Sequence, residues 1–171
     1  MAASGRKYLK DYMAEALLQM MKEKEASKIT IRDICERAGV GRATWFRHFS
    51  GKREAVIYGI IRSWERFAEE KGVREPHKIT TENSESFVDF VYDVRDYRRI
   101  LQENDMGSAI LESFLTLTVR ENSRDQKDFF QKQFVTYGIV GIVDAWSDSD
   151  YEIPKGEIVE YLNEFIRQNL S

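Results

Sequence analysis

Apolar residues recur along most of this chain at intervals of three and four, the period of a helix that keeps one face against a core. Leu9, Met13, Leu17 and Met20, with Tyr12, Ala16 and Met21, form one such stripe and predict a helix over about residues 7–24. Ile57, Ile60, Ile61, Trp64, Phe67 and Ala68 predict another over about 52–71, which Gly72 ends. Phe87, Phe90, Val91 and Val94 place a helix at about 83–95, and a shorter one follows at about 96–104. Ile110, Leu111, Phe114, Leu115 and Thr118 mark a further helix at about 106–122. No strand-like alternation runs long enough to compete, so the chain reads as all-α with about nine helices.

The stretch Thr30 to Lys52 is patterned on a smaller scale, as two short helices joined by a tight turn. Thr30 can cap the first, with Asp33 three residues on as in a capping box, and Ile29 and Ile34 are spaced as a hydrophobic staple. Gly39 can adopt the left-handed conformation that ends a helix, and Gly41 opens a second one carrying Arg42, Thr44, Phe46, Arg47 and His48. Such a pair serves mainly to set a helix into the major groove of DNA. The segment 72–83, with Gly72 and Pro76, breaks the periodicity and marks the join to the rest. These boundaries give a helix-turn-helix part at 1–52, a connecting helix at 53–71 and a helical regulatory part at 72–171.

The last two helices are patterned differently. Over about 127–147 the apolar residues cover nearly the whole circumference. One stripe runs through Phe130, Phe134, Gly138, Gly141 and Ala145, and another through Val135, Ile139, Ile142 and Trp146. A helix apolar on both sides needs two partners: its own core and, with glycines permitting close approach, a second subunit. Pro154 suits a first helical position, and Ile158, Tyr161, Leu162, Phe165 and Ile166 then form the stripe of a helix at about 154–169. Two such helices from each subunit make a four-helix bundle, so Phe134, Gly138, Gly141, Ala145, Ile158, Leu162 and Phe165 are the expected dimer interface. A deeply buried core helix in a monomer is the alternative.

Charge sharpens the picture. The whole chain holds 26 Lys and Arg against 29 Asp and Glu, a net −3, yet residues 1–52 hold eleven against six, a local +5. Affinity for DNA depends on such a local basic face rather than on the total. The single Cys35 forms no intramolecular disulfide and reads as a small core residue. His77 lies in the join without a second His or a Cys nearby, so no metal site is expected and no cofactor is implied. No apolar run is long enough to span a bilayer and the first residues lack a secretory pattern, so a cytoplasmic protein without membrane contact is expected.

Thr30, Ile34, Ala38, Gly39, Val40, Thr44, His48, Phe49 and Lys52 stand where the DNA-binding part of the TetR family of bacterial regulators carries its pattern. The chain resembles that family closely over residues 8–70 and in general shape beyond them. It departs at Cys35, where a small apolar residue is usual, at Gly41, where Ser is common, and at Phe46, where Tyr is common. Phe46 lacks the phenol that would bond a phosphate. The resemblance implies a dimeric transcriptional regulator on a palindromic double-stranded operator, usually one that blocks a promoter until a small-molecule effector releases it.

Roles can be assigned on that basis. Val40, Trp45 and Phe49 anchor the second helix inward. Arg42 is the first candidate for a base contact, since a guanidinium pairs with both acceptors of guanine, and Ala43 can pack on a thymine methyl. Arg47 shares that outward side. Thr44 and His48 resemble the family's backbone contacts. Lys52, beside Arg53 in a first helical turn where the dipole disfavours cations, is explained by a bound phosphate, and Thr30 can hold a second one. Tyr92, Tyr97, Phe114 and Tyr137 are the expected lining of an effector pocket; the alternative is that these rings fill the core. No nucleophile elbow, phosphate-cradling loop or metal-spaced cluster is present, so catalysis is not expected. The rival reading is an interaction protein that keeps this shape but acts through another regulator.

Overall fold

The computed structural model describes residues 2–120 and 123–169, with side chains from Leu9 onward except that of Arg120. The described residues form nine α-helices and no strand: α1 (Ala2–Met21), α2 (Ile31–Ala38), α3 (Arg42–His48), α4 (Lys52–Glu70), α5 (Ser84–Asp93), α6 (Arg95–Glu103), α7 (Ser108–Leu115), α8 (Gln126–Asp148) and α9 (Lys155–Asn169). A short 3-10 turn, Ala26–Lys28, lies before α2, and a π-helical turn, Thr116–Arg120, continues α7. The helix expected over 106–122 is therefore interrupted, and its last two residues lie outside the described ones. Pro154 stands one place before α9, where its carbonyl accepts from the Glu157 and Ile158 N–H groups.

The chain packs as two compact units. The first comprises the stretch ending at Ser63 together with Tyr97–Ile110; the second comprises Trp64–Asp96 and the described residues from Leu111 onward.

In the first unit, Met13, Ala14, Leu17, Met20 and Met21 of α1 meet Ile34 and Cys35 of α2, Trp45 of α3 and Ala55 and Val56 of α4. Leu101 and Ala109 complete the same core from residues distant in sequence. Tyr12, counted on the inward stripe by spacing, is instead 55% exposed, and Ala14 takes the inward place. A tyrosine tolerates this position because its hydroxyl can stay in water.

In the second unit, Trp64 is buried among Phe67, Phe87 and Phe90, and Phe114 meets Phe87 edge to face at 5.3 Å. The Trp64 indole N–H donates to the Pro76 carbonyl at 2.7 Å, so the join is tied down by a buried donor that needs an acceptor. Helix α8 buries Val135, Thr136, Ile139, Val140, Val143 and Trp146, while α9 buries Ile158, Leu162 and Ile166. The π-helical turn places the Thr118 hydroxyl on the Phe114 carbonyl and 2.8 Å from that of Thr136, which gives these inward polar groups partners.

Candidate nucleic-acid interface

Helix α2 starts on a full capping box. The Asp33 N–H donates to the Thr30 hydroxyl at 3.1 Å, and the Thr30 N–H donates to the Asp33 carboxylate at 3.0 Å. The Thr30 backbone, then its side chain, hold the Asp33 carboxyl below its ordinary range, with Lys24 adding to the effect. Because Asp33 is charged at neutral pH, it also favours the amino-terminal end of the helix dipole. Gly39 ends the helix at φ 66°, and the Val40 N–H reaches back to the Cys35 carbonyl at 2.9 Å. That left-handed residue turns the chain sharply enough for α3 to begin at Arg42.

Two aromatic side chains hold α3 in place. Trp45 is fully buried and Phe49, just past the helix, nearly so; their ring centroids lie 5.1 Å apart. Val40 and Thr44 are half-buried. The remaining side of α3 presents Arg42, Ala43, Phe46 and Arg47, all exposed, with His48 half-buried at its end. Phe46 is 57% exposed, a large ring between two guanidinium groups in sequence. Arg47 is tethered by its Nε to the Ala43 carbonyl at 3.3 Å. The outward face of α3 thus combines two cations with apolar groups, the chemistry that suits phosphates, guanine edges and thymine methyls.

Beneath that face, burial pushes the Cys35 thiol above its ordinary range, and the charge of Arg42 offsets part of the effect. A thiol held protonated and 2% exposed behaves as a small apolar residue.

Lys52 has partners within its own unit. Its ammonium donates to the carbonyls of Ala26 and, at 3.0 Å, Ile29, so the cation in the first turn of α4 is compensated by backbone oxygens inside its own unit. Glu54, in the same turn, accepts from the Ser50 N–H and hydroxyl at 2.8 Å each, which hold its carboxyl below the ordinary range. The Ala26 N–H in turn donates to Asn104 Oδ1. The links of Ala26 and Ile29 to Lys52 and of Ala26 to Asn104 join residues far apart in sequence, and only Lys52 among them stood out from the pattern. Thr30 is exposed, and its hydroxyl, an acceptor toward Asp33, retains a proton to donate.

The four rings expected around an effector have different immediate neighbours. Phe114 is buried against Phe87, and Tyr92 stacks with Trp146 at 5.9 Å and meets Tyr151 at 5.8 Å. Tyr97 belongs to the first unit, where the Lys22 ammonium lies 4.3 Å from its ring, and Tyr137 is half exposed. Rings spaced along helices in the sequence face different neighbours because their helices turn different sides to the core.

The expected dimer residues divide in the same way. Ile158 and Leu162 are buried in the protomer's own core, so they are corrected to packing residues. Gly138 accommodates Phe165 of the same chain: a Cβ there would lie 2.1 Å from the ring's Cζ. Phe134, Gly141 and Ala145 point outward, with nothing within 4 Å of a Cβ on Gly141. Phe130 and Phe134 are each 61% exposed, and Tyr137 and Tyr161 continue the exposed apolar surface.

No helix among the described residues is long and apolar enough to cross a membrane, and no group of three metal-binding side chains gathers among them. Residues 14–56 match the model of the tetR family of bacterial regulatory proteins, and residues 102–168 match that of a transcriptional regulator C-terminal region. The HTH-type transcriptional activator FasR of Mycolicibacterium smegmatis is 27% identical in a match covering 81% of this chain and 72% of that protein. The crystal structure of a TetR transcriptional regulator from Rhodococcus sp. RHA1 has a TM-score of 0.60 and covers 97% of each chain at 12% identity, a likeness of fold. Two family models that between them account for both the helix-turn-helix and the carboxy-terminal helices place this chain in the TetR family of transcriptional regulators.

Proposed function

We propose that the protein is a sequence-specific regulator that binds a palindromic duplex as a homodimer, with α3 in the major groove. The observation that carries this reading is the outward face of α3, where Arg42, Ala43, Phe46 and Arg47 are exposed on a helix fixed from behind by Trp45 and Phe49. Arg42 and Ala43 read bases; Thr30, Thr44, Arg47 and His48 position the duplex through its backbone; Phe46 contributes an apolar contact in place of a phenol. Lys52 acts on the duplex chiefly by holding the turn before α2, where its ammonium already lies on two carbonyls. Residues 1–52 carry the reading function, 53–71 connect, and 72–171 dimerise and regulate.

The second subunit covers the exposed surface of α8 made by Phe130, Phe134, Tyr137, Gly141 and Ala145, with Tyr161 of α9 beside it. A two-fold symmetric dimer presents two copies of α3, which requires inverted half-sites. In the cytoplasm, occupancy of such an operator blocks a promoter, the commoner outcome in the family, and a small-molecule effector bound among the helices of 72–171 releases it. A second reading is favoured by one observation: the relative from Mycolicibacterium smegmatis is named an activator, so the bound protein recruits rather than blocks. Selection of bound duplexes from a random pool tests DNA recognition, with inverted repeats expected. Transcription in vitro from a promoter bearing the selected site then separates repression from activation by the sign of the change.

A further inference from the structure

The helix-turn-helix of this protein is completed by residues from the far half of the chain. Leu101 and Ala109 belong to the same buried cluster as Ile34, Trp45 and Phe49, with Ile100, Met106 and Ile110 packed against it. The polar links are more specific than this apolar contact. Ala26 is 3% exposed, so its peptide group must find partners within the protein. Its N–H donates to Asn104 Oδ1 at 2.5 Å, and its carbonyl accepts from Lys52 Nζ. The other end of the Asn104 amide donates to the Ile100 carbonyl at 2.7 Å, which fixes which atom of the amide faces Ala26. Asn104 itself is set at the end of α6 by a left-handed Asp105, φ 56°, with the Met106 N–H closing back on the Leu101 carbonyl at 2.8 Å. Lys52 also holds the Ile29 carbonyl, next to the Thr30 cap from which α2 starts.

We propose that Asn104 is a positioning residue for DNA recognition: by holding the Ala26 amide, it fixes the turn from which α2 and then α3 take their direction. The proposal rests on the DNA-binding reading above. The Asn104→Ala change leaves a buried N–H without its acceptor, and the turn is then free to shift. Asn104→Asp keeps an acceptor of the same shape toward Ala26 while losing the donor toward Ile100.

The test uses the full-length protein and a duplex selected by it from a random pool, at a temperature where circular dichroism shows each variant folded. Asn104→Ala is expected to weaken binding by about tenfold, the scale of one lost buried hydrogen bond. Asn104→Asp is expected to restore most of that loss. Amide exchange supplies a second readout on the wild-type protein: the Ala26 N–H should be protected as strongly as the amides within α2. Equal affinity of folded Asn104→Ala and wild type would overturn the proposal, as would a loss that Asn104→Asp does not recover. An Ala26 amide exchanging at the rate of an exposed one would overturn it too, even where Asn104→Ala fails to fold. If the wild-type protein selects no duplex, the DNA-binding reading fails, while Ala26 exchange still reports on the link itself.

Discussion

Helices α3 and α8 each bury one face in their own unit and present the other outward, and the outward residues differ in kind. On α3 the buried anchor is Trp45 and the outward residues include Arg42, Arg47 and Phe46. On α8 the buried face runs from Val135 to Trp146, and the outward one carries Phe130, Phe134 and Tyr137, with the exposed Lys127 only in its first turn. A cationic face on a short helix gains little from another protein's apolar surface but much from phosphate and base edges. Three exposed rings on a long helix gain most from a surface like themselves. The comparison therefore assigns different partners to two helices that are both amphipathic in outline.

Phe134→Arg breaks the comparison most severely, because it puts a cation in the middle of the exposed rings of α8. Each Phe134 ring removed from a dimer interface costs about 1.5–3 kcal/mol, and two-fold symmetry counts it twice. The dimer's dissociation constant should rise by about 100-fold or more, measured by sedimentation, with the helical content of the protomer unchanged. A dimer of undiminished strength would place the interface elsewhere.

The two glycines of α8 sharpen the point. Gly138→Ala should destabilise the protomer by about 1–3 kcal/mol through overpacking, since the new methyl falls on the Phe165 ring. Gly141→Ala, with open space around its Cβ in a helix interior, should stabilise the protomer by about 0.5–1 kcal/mol, read as a raised denaturation midpoint in dilute solution where the subunits are separate. Equal effects of the two substitutions would mean that Phe165 does not occupy the groove at Gly138.

A smaller effect is expected at Asp105, whose left-handed conformation ends α6 as Gly39 ends α2. Asp105→Gly should stabilise the first unit by about 0.5–1 kcal/mol by relieving the cost of φ 56° in a residue with a Cβ. A fall in the melting temperature would show that the Asp105 side chain contributes more than its backbone costs.

Features set by neighbours in sequence were legible before the fold. The Thr30–Asp33 capping box, the Gly39 turn and the end of α4 at Gly72 depend on residues within a few positions of one another, and rules of local geometry reach that far. The ends at Asp105 and Asp150 follow the same backbone geometry but carry no glycine to announce it. The stripes gave the helices but not the side each turns inward, which is how Tyr12 came to be counted in the core and Ile158 and Leu162 in an interface. Lys52 stood out as a cation in the first turn of a helix, which is where it lies. Its partners, the carbonyls of Ala26 and Ile29, could be found only after the chain had folded back on itself. The π-helical turn at Thr116–Arg120 left no mark on the spacing of apolar residues.

The central claim, that the outward face of α3 reads base sequence, is tested most directly by repeating the duplex selection with Arg42→Ala. The wild-type protein should select an inverted repeat, and the variant the same repeat with one position per half-site relaxed, a loss of about 1–3 kcal/mol of discrimination there. An unchanged preference at every position would contradict the assignment of Arg42, and a wild-type protein that enriches no sequence would contradict the claim itself.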